Sequence, residues 1–208
     1  MSEEQIPNGF KMTEIGVLPA DWAVESLRNT AKISSGGSAP QGGEYFNGKN
    51  PFIRVQHIEP DSDRITKWDL ITNEAVKKYK LKLFPKETIV FPKSGASIYL
   101  EKRAKLPVDA FIVSHLCAVL SDNQKALQNF LFYALKYIKF SKEKADGYPT
   151  LNLSEIKKVR VPLPPLPEQQ KIISVFSTIQ EAKEKTDNVI KALKELKKSM
   201  MKHLFTYG

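Results

Sequence analysis

Through the last quarter of this 208-residue chain, spacings of three and four alternate between Ile172, Val175, Ile179, Ala182, Thr186, Val189, Leu193, Leu196, Met200 and His203, and eight of those ten residues are apolar. This is a heptad seam sustained for more than four repeats, and neither Pro nor Gly interrupts Glu168 to Leu204. The pattern predicts one long helix over residues 168–208. At 1.5 Å per residue, residues 168–204 span about 55 Å. A seam on a lone helix stays wet, and no second helix of this kind is legible in the chain. The expected cover is therefore another copy, or a different protein with the same kind of helix. The interface candidates are Ile172, Val175, Ile179, Val189, Leu193, Leu196 and Met200. The competing reading packs the helix along its own domain.

Upstream the pattern changes. The run Val161-Pro-Leu-Pro-Pro-Leu-Pro167 cannot be helical, because proline removes donors and pushes the residue before it to extended geometry. It reads as a linker, 161–167, with Pro167 as the first helical residue and Glu168 well placed for the helix dipole. Residues 1–160 read as a mixed domain, which makes the fold class α+β. Pro51–Ile58 has the β-rich composition of a strand, and Thr88–Phe91 and Ser97–Leu100 read as two strands joined by a turn at Pro92–Ala96. Ala110–Leu120 gives one or two more strands, broken near Ser114-His115. Thr72-Asn73 is placed to cap a short helix ending at Tyr79. Asn123–Phe140 fits a helix with Leu127, Phe130, Leu131, Ala134, Leu135 and Ile138 on one face. Ser34–Gly43 reads as a flexible glycine-rich loop.

Composition narrows the class. A chain that is 41% hydrophobic and 10% aromatic can bury a core, so wholesale disorder is excluded. The longest apolar runs fall far short of a bilayer span, and the acidic start Met1-Ser2-Glu3-Glu4 has no signal-peptide character. A single cysteine, Cys117, excludes a disulfide framework. The expectation is a soluble cytoplasmic protein with no membrane partner. Net charge is +9, and its distribution matters more than its sum. Residues 1–76 carry 7 basic and 11 acidic groups, whereas residues 77–105 carry 9 basic and 2 acidic. The basic stretch is interleaved with Tyr79, Phe84, Phe91 and Tyr99, the footprint of a polyanion site.

No catalytic constellation appears. Lys93-Ser-Gly-Ala lacks the spaced glycines of a phosphate loop, and His57, His115 and His203 are scattered. Asn50-Pro51-Phe52 resembles a methyltransferase turn but lacks its second proline. Glu181-Ala-Lys183 lies in the heptad segment with no fitting upstream Asp. Cys117 sits in an apolar strand and reads as a small buried hydrophobe. What the loops offer is donors. Lys93, Ser94, Ser97, Lys102 and Arg103 gather around one turn. Arg54 and His57 are three apart on one strand and so face opposite sides unless a bulge intervenes. Lys144, Tyr148 and Asn152 belong to a polar stretch after a basic helix end. Such side chains hold phosphate or read base edges.

Two stretches carry a family resemblance. Thr13-Glu-Ile-Gly-Val-Leu-Pro-Ala-Asp-Trp22 resembles the entry to a target-recognition domain in specificity subunits of type I restriction-modification systems. Val161-Pro-Leu-Pro-Pro-Leu-Pro-Glu-Gln-Gln-Lys-Ile172, following a Gly-Tyr-Pro-x-Leu stretch and leading to a helix that ends Leu196–Phe205, resembles that family's exit and spacer helix. Full-length members have two recognition domains and two antiparallel spacer helices, and one of each is found here. The resemblance therefore implies a half-length form whose two copies read a bipartite DNA target. It also implies an adenine methyltransferase subunit as partner, a motor-nuclease subunit where cleavage occurs, and no cofactor of this chain's own. Methyl donor, ATP and magnesium would belong to those partners. The alternative from a different class is a coiled-coil scaffold that binds protein and no DNA.

Overall fold

A computed structural model of the chain describes residues 6–60, 62–140 and 149–208. The chain divides into two compact units, Met1–Gln169 and Gln170–Gly208. In chain order the first elements are β1 (Phe10–Thr13), β2 (Gly16–Pro19), β3 (Ala23–Ser26), the single turn α1 (Leu27–Thr30), β4 (Ala31–Ser35) and β5 (Phe46–Ile53). Next come β6 (Asp69–Ile71), α2 (Asn73–Lys78), β7 (Leu83–Phe84), β8 (Ile89–Pro92), β9 (Ala104–Lys105), β10 (Ala110–Ile112) and β11 (Leu116–Ser121). The chain closes with α3 (Gln128–Tyr137), α4 (Leu153–Lys158), β12 (Arg160–Leu163) and α5 (Leu166–Tyr207).

The first unit is built on two four-stranded sheets, ordered β6-β5-β10-β7 and β4-β11-β8-β9. β10 and β11 are consecutive in the chain and belong to different sheets, so the break at Ser114-His115 is where the chain changes sheet. The apolar run at β11 has a physical reason. Its side chains alternate between faces. Leu116 and Ala118 join Phe52, Ile53 and Ile112 in one core, whereas Cys117 and Val119 join Leu131, Phe132 and Leu135 of α3 in another. β8 does the same, with Val90 in the first core and Ile89 and Phe91 in the second. A sheet covered on both faces needs apolar residues at every position.

Several elements are as the pattern predicts. Thr72 caps α2, its hydroxyl accepting from Ala75 N at 3.2 Å. The Ala110–Leu120 segment is two strands broken where expected. Others differ. β5 ends at Ile53, because the Arg54 N–H turns to the His57 ring and Val55–His57 winds into a 3-10 turn. Ser97–Leu100 is not a strand. Ala96–Ile98 is a 3-10 turn bracketed by Gly95 at φ 78° and Glu101 at φ 46°, and β8 pairs instead with β9 and β11. The helix expected from Asn123 starts only at Gln128, because Lys125 and Ala126 N–H groups close a turn on Asp122 O. The glycine-rich segment is clamped rather than loose. A Cβ on Gly36 would lie 2.1 Å from Ile112 O, and Gly37 N donates to that same oxygen at 3.0 Å.

The proline-rich segment is only partly a linker. Arg160–Leu163 forms an edge strand against β3, a setting that tolerates Pro162. α5 begins at Leu166, one residue before Pro167, with the Glu168 and Gln169 N–H groups on Pro165 O. Its first turn explains the Glu-Gln pair. Glu168 Oε2 accepts from Trp22 Nε1 at 3.0 Å. Gln169 is fully buried, accepts from Leu127 N at 2.8 Å, and donates to Lys125 O and Pro164 O at 3.1 and 2.8 Å. A buried amide with three partners is a specific lock rather than a surface residue.

In the second unit the heptad residues are exposed. Val175, Ile179, Val189, Leu193, Leu196 and Met200 each keep between 56% and 60% of their surface in solvent, while Ile172 is half-buried. Among the described residues, no helix is long and apolar enough to cross a membrane.

Candidate nucleic-acid interface

Four polar loops of the first unit meet at one end of the strands of the second sheet. The Lys93–Gly95 loop is held on one side by Lys93 N donating to His115 O at 2.9 Å. On the other side Leu151 N donates to Lys93 O at 2.7 Å and Gly95 N to Pro149 O at 2.9 Å. Ser94 Oγ lies 2.6 Å from His115 Nδ1, and Ser94 pairs with Thr150 as an isolated bridge. Ser35 Oγ donates to Ser114 O at 2.9 Å. Lys93, Ser94 and Asn152 of the predicted set are therefore brought together, and the structure adds Ser35, His115 and Thr150. Asn152 is exposed and opens α4, its N–H donating to Glu155 Oε2 at 3.1 Å. The signal for His115 in the sequence is a polar pair breaking an otherwise unbroken apolar run.

A second cluster lies at the far end of the glycine-rich segment. There Gln41 N donates to Tyr79 Oη at 2.8 Å, and the Tyr79 ring packs edge-on against Tyr45. Lys78 donates to Tyr45 Oη at 2.5 Å and lies 4.6 and 5.8 Å from the two ring centroids. That hydrogen bond holds the ammonium charged and its pKa above the ordinary value. Lys77, Lys80 and Lys82 are exposed beside it in sequence. The same glycine-rich segment thus ties the lysine–tyrosine cluster to the serine–histidine loops. Cationic and aromatic side chains in one patch suit a phosphate backbone with exposed bases.

Three predicted residues serve other ends. Arg103 is inside the domain, its side chain 3% exposed. Its guanidinium donates to Glu101 Oε2 at 2.5 Å, to Lys102 O at 3.0 Å and to Ile138 O at 3.3 Å, and it lies 5.0 and 4.8 Å from the stacked rings of Phe91 and Phe140. Burial lowers its pKa and Glu101 opposes the shift, so the charge persists as a core strut that DNA cannot reach. Arg54 and His57 do not face opposite sides. The 3-10 turn folds His57 back so that its Nδ1 accepts from Arg54 N at 3.0 Å, and both side chains meet Asp69. Arg54 Nε donates to Asp69 Oδ2 at 2.5 Å, with the guanidinium over Phe46 and Phe52. Burial lowers the His57 pKa, the Asp69 charge pulls it up and Arg54 pushes it down again. The ring is therefore neutral at pH 7 and internally bonded.

Ser97 sits half-buried in the 3-10 turn, and Lys102 is half-buried next to Arg103. Lys144 and Tyr148 lie outside the described residues. Cys117 is a buried hydrophobe whose thiol burial pushes up to about 12. Two further basic residues are engaged: Lys105 with Glu87 at 2.9 Å, and Lys136 with Asp63.

The family model described as type I restriction modification DNA specificity domain matches residues 19–195. The chain belongs to that family. The match runs from the end of β2 through both sheets and most of α5. The type I restriction enzyme MjaIX specificity subunit of Methanocaldococcus jannaschii is 31% identical over 192 residues, covering 90% of this chain and 44% of that protein. The MjaVIII specificity subunit of the same organism is 27% identical, covering 92% of this chain and 43% of its own length. The chain thus spans about half the length of the curated relatives it matches. In structure it is similar to the HsdS subunit of Thermoanaerobacter tengcongensis, with a TM-score of 0.64 at 17% identity over 96% of this chain and 48% of that one. A chain from a study of complex assembly and conformational transition of the type I R-M system superposes with a TM-score of 0.66 at 19% identity, over 90% of this chain and 46% of the other. At these identities the likeness is one of fold. The specificity-domain fold, with its sheets and long C-terminal helix, is the α+β architecture expected from sequence.

Proposed function

We propose that this chain is a DNA-address subunit that reads one half of a bipartite target and acts as a homodimer through antiparallel pairing of α5. The observation that carries the reading is the specificity-family match across both the recognition unit and the helix, together with the exposed seam of that helix. Charge supports the antiparallel sense. Residues 166–190 carry 3 basic and 4 acidic groups, and residues 191–208 carry 5 basic and 1 acidic. Parallel pairing stacks the two basic halves on each other, whereas antiparallel pairing sets each against a nearly neutral half. The seam accommodates that sense. With the crossing midway between Asp187 and Asn188, Val175 meets the second copy's Met200, Ile179 meets Leu196, Ala182 meets Leu193 and Thr186 meets Val189. Every first seam position then faces a second one. The 42 residues of α5 span about 63 Å, nearly two turns of DNA at about 34 Å each.

The chain supplies recognition. An adenine methyltransferase subunit would dock on the paired helices and flip its target base, and a motor-nuclease subunit would join in a complex that cleaves. The protein would work in the cytoplasm, where those partners meet DNA. Lys78 with Lys77, Lys80 and Lys93 forms the phosphate-binding set, while Ser94, His115 and Asn152 stand where base edges would pass.

Duplex binding measured against salt tests this. The expected result is a linear fall of log K with log salt, with a slope of about −0.9 per phosphate neutralised. Reversing Lys77, Lys78 and Lys80 to Glu should cut the slope by about 2–3 and leave the thermal unfolding of the first unit in place. Absence of duplex binding at low salt overturns the DNA reading and favours a protein-only scaffold.

A further inference from the structure

Two strands of the first sheet end together. β10 runs parallel to β5 with Ile112 opposite Ile53, and Val113 N donates to Ile53 O at 3.0 Å. The residues leaving this end are Arg54 from β5 and, one past Val113, the Ser114-His115 pair from β10. Arg54 therefore stands at the same end of the domain as the serine–histidine loops.

The ion pair with Asp69 occupies only one edge of the Arg54 guanidinium. Nε donates to Asp69 Oδ2 at 2.5 Å, while the guanidinium carbon lies 5.5 and 5.6 Å from the ring centroids of Phe46 and Phe52. Asp69 is itself backed by His57. The imidazole accepts from Arg54 N through Nδ1, so its proton is on Nε2, which lies 3.6 Å from Asp69 Oδ1. Carboxylate and rings together fix the guanidinium plane before any ligand arrives, which lowers the entropy lost on binding. Among the described residues, no hydrogen bond or ion pair is made through Nη1 or Nη2, and the side chain is 31% exposed. What remains is a rigid fork of N–H donors open to solvent.

Such a fork fits a phosphate or the O6/N7 edge of guanine. Charge separates the two. Arg54 and Asp69 sum to zero and His57 is neutral, so a phosphate would meet the carboxylate as well as the guanidinium. The guanine edge is uncharged and accepts two parallel donors without that opposition. We infer that Arg54 reads a guanine in the major groove, with Asp69 as its positioning residue. This rests on the DNA-address reading above and names one base of the half-site.

Selection of duplexes from a random-sequence pool by the full-length chain tests this. The parent should prefer guanine at one position of each half-site by about 10–100-fold over any other base. Replacing that guanine by 7-deazaguanine, which lacks the N7 acceptor, should weaken binding about tenfold. In Arg54→Met, which keeps an unbranched stem over the rings, the preference at that position should shrink to within about threefold, while the other positions and the salt slope stay as in the parent. Asp69→Ala should lower the same preference part of the way, and should add nothing in the Arg54→Met background, because the two act through one contact. Thermal unfolding is followed for each variant. Should Arg54→Met fail to fold, Arg54→Lys keeps stem and charge without the fork, and the 7-deazaguanine penalty should fall several-fold. A parent site with no guanine sensitive to 7-deazaguanine overturns the assignment, as does an unchanged site preference in a folded Arg54 variant; both leave the DNA reading standing. So does a uniform loss of affinity with a salt slope shallower by about 0.9, the mark of a phosphate contact. A parent chain that binds no duplex at low salt overturns the DNA reading, and this inference with it.

Discussion

The two units of the chain use their apolar residues in opposite ways. In the recognition unit, Phe52, Phe91, Phe132 and Leu116 have at most 2% of their surface in solvent, spread over two cores on either side of the second sheet. In the helical unit, the seam residues Val175, Ile179, Val189, Leu193, Leu196 and Met200 keep more than half of theirs. Apolar content is high in both. The difference is that a sheet closes its surface with strands from elsewhere in the same chain, whereas a heptad stripe can be closed only by a second stripe. Apolar residues in the first unit therefore report folding, and those in the second, on the dimer proposed above, report association.

The sharpest way to break this contrast is at the seam. Leu193→Glu with Leu196→Glu removes four apolar contacts from a homodimer, about 6 kcal/mol or roughly four orders of magnitude in dimer Kd. Sedimentation should find a monomer whose recognition unit melts as before. A dimer that survives both substitutions would show that the seam is not the interface.

A smaller effect is expected at Arg103, which sits among basic neighbours in sequence but inside the core in structure. Arg103→Ala removes the ion pair with Glu101 and the packing of the guanidinium beside the stacked Phe91 and Phe140 rings. The cost should be about 2–3 kcal/mol in urea unfolding, short of a fully buried pair because Glu101 reaches water. Lys77→Ala, on the exposed face of α2, should change stability by less than about 0.5 kcal/mol. If Arg103→Ala abolished duplex binding while stability held, the assignment of Arg103 to the core would be wrong.

The smallest effect is the titration of His57. Its folded pKa lies below 6.5, so below that value the unfolded chain binds more protons than the folded one. Stability should rise with pH up to about 6.5, level off above it, and fall as acid protonates the ring. His57→Asn keeps an acceptor for Arg54 N and should flatten that part of the stability profile. An unchanged slope would mean that His57 is not the titrating group.

What could be read without the structure was local. The Thr72 cap, the break at Ser114-His115 and the long helix each depend on neighbours within a turn or two, so spacing and residue type sufficed. Ser97–Leu100 misled because Ile98, Tyr99 and Leu100 are all strand formers. In the fold Ile98 is 2% exposed and Leu100 53%, a pair that alternation would have placed on one face. The positive φ values at Gly95 and Glu101 end any strand there. The charged residues were the least legible. Arg54 and His57 looked divergent on a strand that in fact stops before them, and Asp69, which binds both, comes from the neighbouring strand. The Glu168–Gln169 pair was visible as a signature, but its purpose became clear only from Trp22, Leu127 and Pro164 around it.

Sequence alone therefore determined the periodicity of α5, its start near the prolines, the α+β class and the concentration of basic charge in the middle of the chain. Tertiary structure decided which of those charges face water. Lys78 is left at the surface beside the rings of Tyr45 and Tyr79, Lys93 is half-buried in the loop that meets His115, and Arg103 is drawn into the core by Phe91, Phe140 and Glu101. The physical reason is range. Helix periodicity is set by hydrogen bonds four residues apart, whereas the cost of desolvating a charge depends on every segment packed over it, however distant in the chain.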